Sequence, residues 1–289
     1  MMCKKYPAFL ESEIKNKLPR NALFHIIPVP FERTTSYKKG TKKGPSAILK
    51  ASQQLELFNE SANPAKVGIY THKPIKTFSS TKKVLSSIEN RVKESIIFNK
   101  IPILLGGEHT ITLGAIEAIK KIIGNFGVIH FDAHSDLRNS YDKTTYSHAC
   151  IARRIHELNI DIFQIGVRSL SEEEHIYRKE KKIKHCDAEK IHSLSSLTSV
   201  LPKSFPKRVY ITVDMDVFDP SIIPATGTPE PGGLSWFQMN ELLKSITKRF
   251  DILGFDMVEL STIRGFHHCE YSIAKLIYIM MGMISKKLF

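Results

Sequence analysis

The sequence predicts an α/β protein, a largely parallel sheet sandwiched between layers of helix, on three observations. Short β-rich apolar runs alternate with amphipathic stretches along the whole chain, and parallel strands need helical crossovers. Eight such runs occur: Leu23 to Val29, Lys66 to Tyr70, Ile101 to Leu105, Gly127 to Phe131, Asp161 to Val167, Ile183 to Cys186, Val209 to Val213 and Ile252 to Val258. No long Pro/Gly/Ser linker or internal repeat interrupts the 289 residues, a length near the upper end of what one core supports, so 1–289 reads as one domain. Between the strands, Pro45 to Phe58 predicts a helix, with Pro at its first position and Ala47, Ile48, Ala51, Leu55 and Phe58 on one face. Thr81 to Phe98 predicts another, with Val84, Leu85, Ile88, Val92 and Ile96 at steps of three and four.

Composition bounds the function. The hydrophobic share is 42% and the charged share 25%, far from the composition of chains that fail to fold. Lys plus Arg number 42 against 29 Asp plus Glu, a net charge of +13, which by itself points to an anionic partner. Cys3, Cys150, Cys186 and Cys269 are far apart and form no C-x-x-C pair, so a disulfide scaffold or zinc knuckle is not indicated and a reducing compartment is expected. The opening MMCKKYPAFLESEIKNK turns charged before any long apolar run, and the late run Leu276 to Ile284 is about half of a membrane span. A cytoplasmic protein without membrane contact is the expectation.

In an open parallel sheet the ligand crevice lies beyond the carboxyl ends of the strands. Three polar clusters stand there: Gly106-Gly107-Glu108-His109-Thr110, Asp132-Ala133-His134-Ser135-Asp136 and Asp214-Met215-Asp216. If these segments stay extended, Asp132, His134 and Asp136 share a face, as do Asp214 and Asp216. Taken singly, a D-x-D can be a cap or turn, a strand-end His a packed residue, and the glycines turn formers. Together they form four carboxylates and two imidazoles too close to coexist without neutralising cations, and a pair of divalent metals is the economical solution.

These clusters resemble those of the ureohydrolases, which include arginase, agmatinase and guanidinobutyrase. The resemblance runs from about Ala22 to about Met281 and includes VPFERTTSYKKGTKKGPSAI, GGEHT, DAHSD, SHAC, DMDVFDPSIIPATGTPEPGGL and FDMVEL. It implies a three-layer α/β/α fold around an eight-stranded parallel sheet, the strand count already reached above. It assigns one manganese to His109, Asp132, Asp136 and Asp214 and the second to Asp132, His134, Asp214 and Asp216, with Asp132 and Asp214 bridging. Carboxylates and imidazoles without a thiolate suit Mn²⁺ better than Zn²⁺, while Ni²⁺ and Co²⁺ are compatible. The resemblance further implies attack by a metal-bridging hydroxide, with Glu259 holding the guanidinium, Asp136 accepting the hydroxide proton and His148 shuttling protons. It also implies a homo-oligomer, trimer or hexamer.

Substrate choice rests on absences. Arginases carry an S-G-N run before the catalytic His and an Asp after an I-G-x-R turn; here the stretches read Thr144-Thr145-Tyr146-Ser147-His148 and Ile165-Gly166-Val167-Arg168-Ser169. Agmatine is therefore the expected substrate, yielding putrescine and urea. Guanidinobutyrate is the rival, with Arg264 or Arg168 reaching its carboxylate. Outside the enzymes, a non-catalytic basic protein could grip nucleic acid through Arg178 to Lys184 and Lys38 to Lys43. No aromatic interleaving accompanies those runs, and all of the residues that catalysis would need are present, so no nucleic-acid partner is expected.

Overall fold

Eight strands do form: β1 (Phe24–Val29), β2 (Ile69–Thr71), β3 (Ile101–Gly106), β4 (Gly127–Phe131), β5 (Asp161–Ile165), β6 (Lys184–Cys186), β7 (Arg208–Asp214) and β8 (Asp251–Val258). In this computed structural model, which describes residues 6–15, 18–58, 63–198 and 200–288, they build one sheet in the order β2-β1-β3-β8-β7-β4-β5-β6. Every pairing is parallel. The α-helices are α1 (Gly44–Ala51), α2 (Thr81–Ile97), α3 (Thr112–Ile123), α4 (Ile151–Glu157), α5 (Glu172–Glu180), α6 (Ala188–Ser193), α7 (Trp236–Arg249) and α8 (His268–Leu288).

Strand alternation sorts side chains into two cores, one on each face of the sheet. Ile129 and Phe131 of β4 and Val209, Ile211 and Val213 of β7 meet α1, α7 and α8. Val128 and Tyr210, from the same strands, meet α2, α3 and α4. The expected α/β/α layering therefore holds, and the four central strands are β3, β8, β7 and β4, each of which ends in one of the polar clusters or in Glu259.

Three boundaries differ from expectation by two residues or more. The helix predicted to reach Phe58 is regular only to Ala51, passes through a 3₁₀ turn at Ser52–Gln54 and becomes extended at Leu55. There Ser52 Oγ accepts from Leu10 N at 3.0 Å and Gln53 Nε2 donates to Ala8 O at 2.8 Å, so side chains recruited by the N-terminal segment compete with further helix. Phe58 is consequently exposed. The strand expected over Lys66 to Tyr70 begins instead at Ile69, after a 3₁₀ turn Pro64–Val67. The strand expected to reach Val167 stops at Ile165, because Gly166 turns at φ +93°.

Cys150, Cys186 and Cys269 are buried and free, whereas Cys3 lies outside the described residues, as does part of the N-terminal stretch. No helix among the described residues is long and apolar enough to cross a membrane.

Candidate metal centre and the cavity above it

A cavity of about 330 Å³ opens at the carboxyl ends of the central strands, and Asp132, His134, Asp136, His148, Asp214, Asp216 and Glu259 all line it. His109, fully buried, lies beneath its floor. The sheet thus brings together the eight residues nominated for metal binding and catalysis, from segments far apart in the chain. The route is not simple strand alternation. Asp136 sits in the left-handed region at φ +51°, and Asp214 caps a 3₁₀ turn, its carboxylate accepting from Asp216 N at 3.0 Å. Convergence is made by turns at the strand ends.

His109 Nδ1 is the centre of the cluster. Asp132 Oδ2 lies 3.2 Å from it, and Asp136 Oδ2 and Asp214 Oδ2 each 3.3 Å, yet none stands on a hydrogen-bond line from it. Its other nitrogen is committed: Nε2 is 2.8 Å from Thr212 Oγ1, which donates its own proton to Asp256 Oδ1 at 2.6 Å. Thr212 can then only accept, so Nε2 carries the hydrogen and Nδ1 presents its lone pair to three carboxylates. That arrangement is repulsive unless positive charge lies among them. On the second side, His134 Nδ1 is 2.9 Å from Asp216 Oδ2 and 3.6 Å from Asp132 Oδ1, making Asp132 the member common to both groups.

Where no cation is bound, the same demand for positive charge is met by protons, the one on His109 taken up at Nδ1. Burial alone would lower His109, but Asp132, Asp136 and Asp214 outweigh it and hold the imidazole well above its ordinary range. His134 is pushed up to about 12, as Asp132 and Asp216 overcome its burial. Burial, with Asp132 close by, raises Asp136 and Asp216, and burial with Asp216 and Asp132 raises Asp214 well above its usual value. Asp132 is itself buried, but His130, His109 and His134 around it reverse that effect and hold it low. Donors of this kind, with orphaned buried atoms at His109 Nδ1 and Asp132 Oδ2, fit a pair of divalent cations.

Sequence reading missed three supports. Thr212 and Asp256 orient His109; strand alternation could have found Thr212, two residues before Asp214 on β7, and Asp256 lies inside the FDMVEL motif. His130 was also passed over, although it precedes Asp132 by two on β4. Its Nε2 lies 3.0 Å from Asp132 Oδ2. Gln164 Nε2, which donates to Ser135 O at 2.6 Å, is 3.2 Å from His130 Nδ1. Nδ1 therefore accepts and the hydrogen resides on Nε2, which lies against Asp132 Oδ2 without aligning to donate to it.

Glu259, at φ +63°, accepts from His109 N through Oε1 at 2.7 Å. Burial and the neighbouring Glu108 raise it well above the usual carboxylate range. His148 begins a 3₁₀ turn and stacks edge-on to Tyr141, ring centroids 5.8 Å apart. Arg168 does not face the cavity as a free cation: its guanidinium donates to the carbonyl oxygens of Gly166, Asp216, Glu230 and Pro231. Arg264 is exposed on the Ile263–Phe266 turn. The basic excess is not wholly remote from the site, since Lys38 and Arg138 line its rim, Arg138 with Glu174 at 3.7 Å.

The arginase-family profile matches residues 22–282. The chain is 33% identical over 284 residues to an N(1)-aminopropylagmatine ureohydrolase of Synechocystis sp., covering 95% of this chain and 92% of that protein. It is also 33% identical to an agmatinase of Pyrococcus horikoshii, covering 99% and 100% of the two chains. Among solved structures, the agmatine ureohydrolase of Thermoplasma volcanium superposes with a TM-score of 0.88 at 30% identity, over 98% of this chain and 96% of that one.

Proposed function

We propose that this chain, which belongs to the arginase family, hydrolyses the guanidinium group of agmatine to putrescine and urea as a single ureohydrolase domain. The observation that carries the reading is the floor of the cavity: four buried aspartates and two imidazoles that need cations, with Glu259 beside them facing the same space. Ligand chemistry favours two Mn²⁺, with His109, Asp132, Asp136 and Asp214 about one and Asp132, His134, Asp214 and Asp216 about the other. When bound, such a pair supplies the Lewis acidity that makes a water nucleophilic at neutral pH.

The chain's own groups do the rest. Glu259 Oε1 is held by His109 N–H, which fixes the carboxylate so that Oε2 can take the N–H edge of a planar guanidinium. Asp136, on the cavity wall, accepts a proton, and His148 exchanges protons between the cavity and solvent. Arg168 is saturated by carbonyls and neither it nor Arg264 lines the cavity, where the rim cations are Lys38 and Arg138, the latter beside Glu174. This supports an amine-tailed substrate over arginine or guanidinobutyrate. Homo-oligomeric assembly, a cytoplasmic setting, and no nucleic-acid or membrane partner belong to the same reading.

A longer substrate, N(1)-aminopropylagmatine, is a second reading. The room above the cluster and the Synechocystis relative's own activity support it. Urea release by Mn²⁺-loaded protein should be measured on agmatine, N(1)-aminopropylagmatine, arginine and guanidinobutyrate, and repeated with Ni²⁺ and Co²⁺. One of the first two should have the highest kcat/KM; a higher value for either of the others overturns the substrate assignment, with Lys38 on the rim the first residue to test.

A further inference from the structure

Glu108, the acidic residue of GGEHT, is completely buried, with no cation bonded to it among the described residues. Its carboxylate is satisfied by neutral donors only. Oε2 accepts from the backbone N–H groups of Arg33 and Thr34, the latter at 2.7 Å. Oε1 accepts from the hydroxyls of Thr34 and Thr110, both at 2.8 Å. A buried carboxylate is costly, and one that serves no ligand directly asks for another use.

Thr34 supplies it. The same Oγ1 lies 3.1 Å from His148 N and 3.2 Å from His148 Nδ1. A threonine hydroxyl has one proton and two lone pairs. With the proton given to Glu108, both lone pairs are acceptors: one takes the His148 backbone N–H, and the other takes Nδ1–H. We propose that Glu108 and Thr34 are positioning residues that hold His148 as the Nδ1–H tautomer and so turn a proton-accepting Nε2 toward the cavity. The inference rests on the ureohydrolase reading for what His148 does, but not for how it is held.

The logic repeats that of Asp256, Thr212 and His109 beneath the floor, with a carboxylate, a threonine and an imidazole in line. The outcome is opposite in sense: there Nδ1 is left bare, here Nε2. Ser147 Oγ, 3.3 Å from His148 Nδ1, is the competing partner, and as a donor it would enforce the other tautomer.

Three variants of the full chain separate these possibilities. Thr34→Val removes the hydroxyl at constant shape. Glu108→Gln reverses the polarity: its carbonyl can keep the two backbone donors, its amide donates to Thr34, and the Thr34 proton is released toward Nδ1. Ser147→Ala removes the competitor. With Mg²⁺ as a diamagnetic substitute, ¹⁵N-histidine NMR, assigned with His148→Asn, should show Nδ1–H in the parent and in Ser147→Ala. The Nδ1–H signal should be diminished in Thr34→Val and replaced by Nε2–H in Glu108→Gln.

In the Mn²⁺ enzyme, Thr34→Val should lower kcat on the order of 10- to 1,000-fold, within the roughly 10⁴-fold that a wrong tautomer can cost. KM and metal content should change little, the pH profile of kcat should shift, and Thr34→Ser should restore it. The proposal is overturned if Thr34→Val keeps the parent tautomer or the parent kcat, or if Ser147→Ala changes the tautomer. A parent that shows the Nδ1–H signal but releases no urea from any guanidino compound would sink the functional reading and leave the relay standing.

Discussion

Thr212 decides which nitrogen of His109 faces the acidic cluster: its hydroxyl, 2.8 Å from Nε2, has already given its proton to Asp256, so the imidazole must donate there and leave Nδ1 bare. Thr212→Val keeps the shape and removes that constraint. Mn²⁺ affinity, measured by titration calorimetry, should fall about 10- to 100-fold, the usual cost of losing a group that orients a ligand. Thr212→Ser should recover most of it. Unchanged affinity in the valine variant would mean that packing alone orients the ring.

Arg168 braces the second half of the cluster by donating to Asp216 O and Glu230 O, both at 2.7 Å, and to Gly166 O at 3.0 Å. Arg168→Met should destabilise the fold by about 2–4 kcal/mol in urea denaturation, because several carbonyls lose a charged donor together. Metal stoichiometry should drop toward one per chain, since the Asp216 turn is released. Arg168→Lys should not restore it, a single ammonium being unable to span the same carbonyls.

Away from the cavity, a hydrogen-bond chain links α2, the residue after β2 and β1: Arg91 Nη1 to His72 Nδ1 at 2.7 Å, His72 Nε2 to His25 Nδ1 at 3.2 Å, and His25 Nε2 to Pro19 O at 2.9 Å. Burial, with His25 and Arg91 adding repulsion, pushes His72 down to about 3; burial also lowers His25. The folded ring is therefore neutral where an unfolded one, titrating near 6.5, takes a proton. Stability is fully present above about pH 6.5 and is lost as pH falls toward about 3, because the unfolded state binds the extra proton. Between pH 7.5 and 5 the loss from His72 should be on the order of 2 kcal/mol. His72→Gln, which can keep both hydrogen bonds without titrating, should flatten that slope; an equal slope would assign the acid sensitivity elsewhere.

Gly107 is a packing requirement. A β-carbon there would stand 1.8 Å from Phe31 O, and the backbone around it bonds Val29 O and Glu259 N. Gly107→Ala should abolish soluble expression or lower the Tm by well over 10 °C, since β3 would have to part from the 29–34 loop. A stable alanine variant with full metal content would refute the close approach.

Much of the site was legible in the sequence, because a strand end and a ligand-bearing side chain are local properties. Asp132 and Asp214 follow apolar runs directly, Asp216 stands two residues on, and His109 follows two glycines and Glu108. His148 and Glu259 needed the family resemblance, since a lone His or Glu after a loop carries no periodic signal. Apolar spacing places the helix end at Phe58 because it does not register the N-terminal segment that captures Ser52 and Gln53.

The sequence by itself determined the layered α/β class, the eight strands and the residues of the buried Asp/His cluster, as these follow from periodicity and from polar groups placed at strand ends. Only the tertiary structure decided the order β3-β8-β7-β4 that sets four strand ends side by side, the commitment of Arg168 to backbone carbonyls, and the tautomers of His109, His130 and His148. Those depend on hydrogen bonds between residues far apart, Thr34 with His148 across 114 positions and His109 with Thr212 across 103. A single proton can be placed only when every donor and acceptor around it is known, and it is the fold that assembles them.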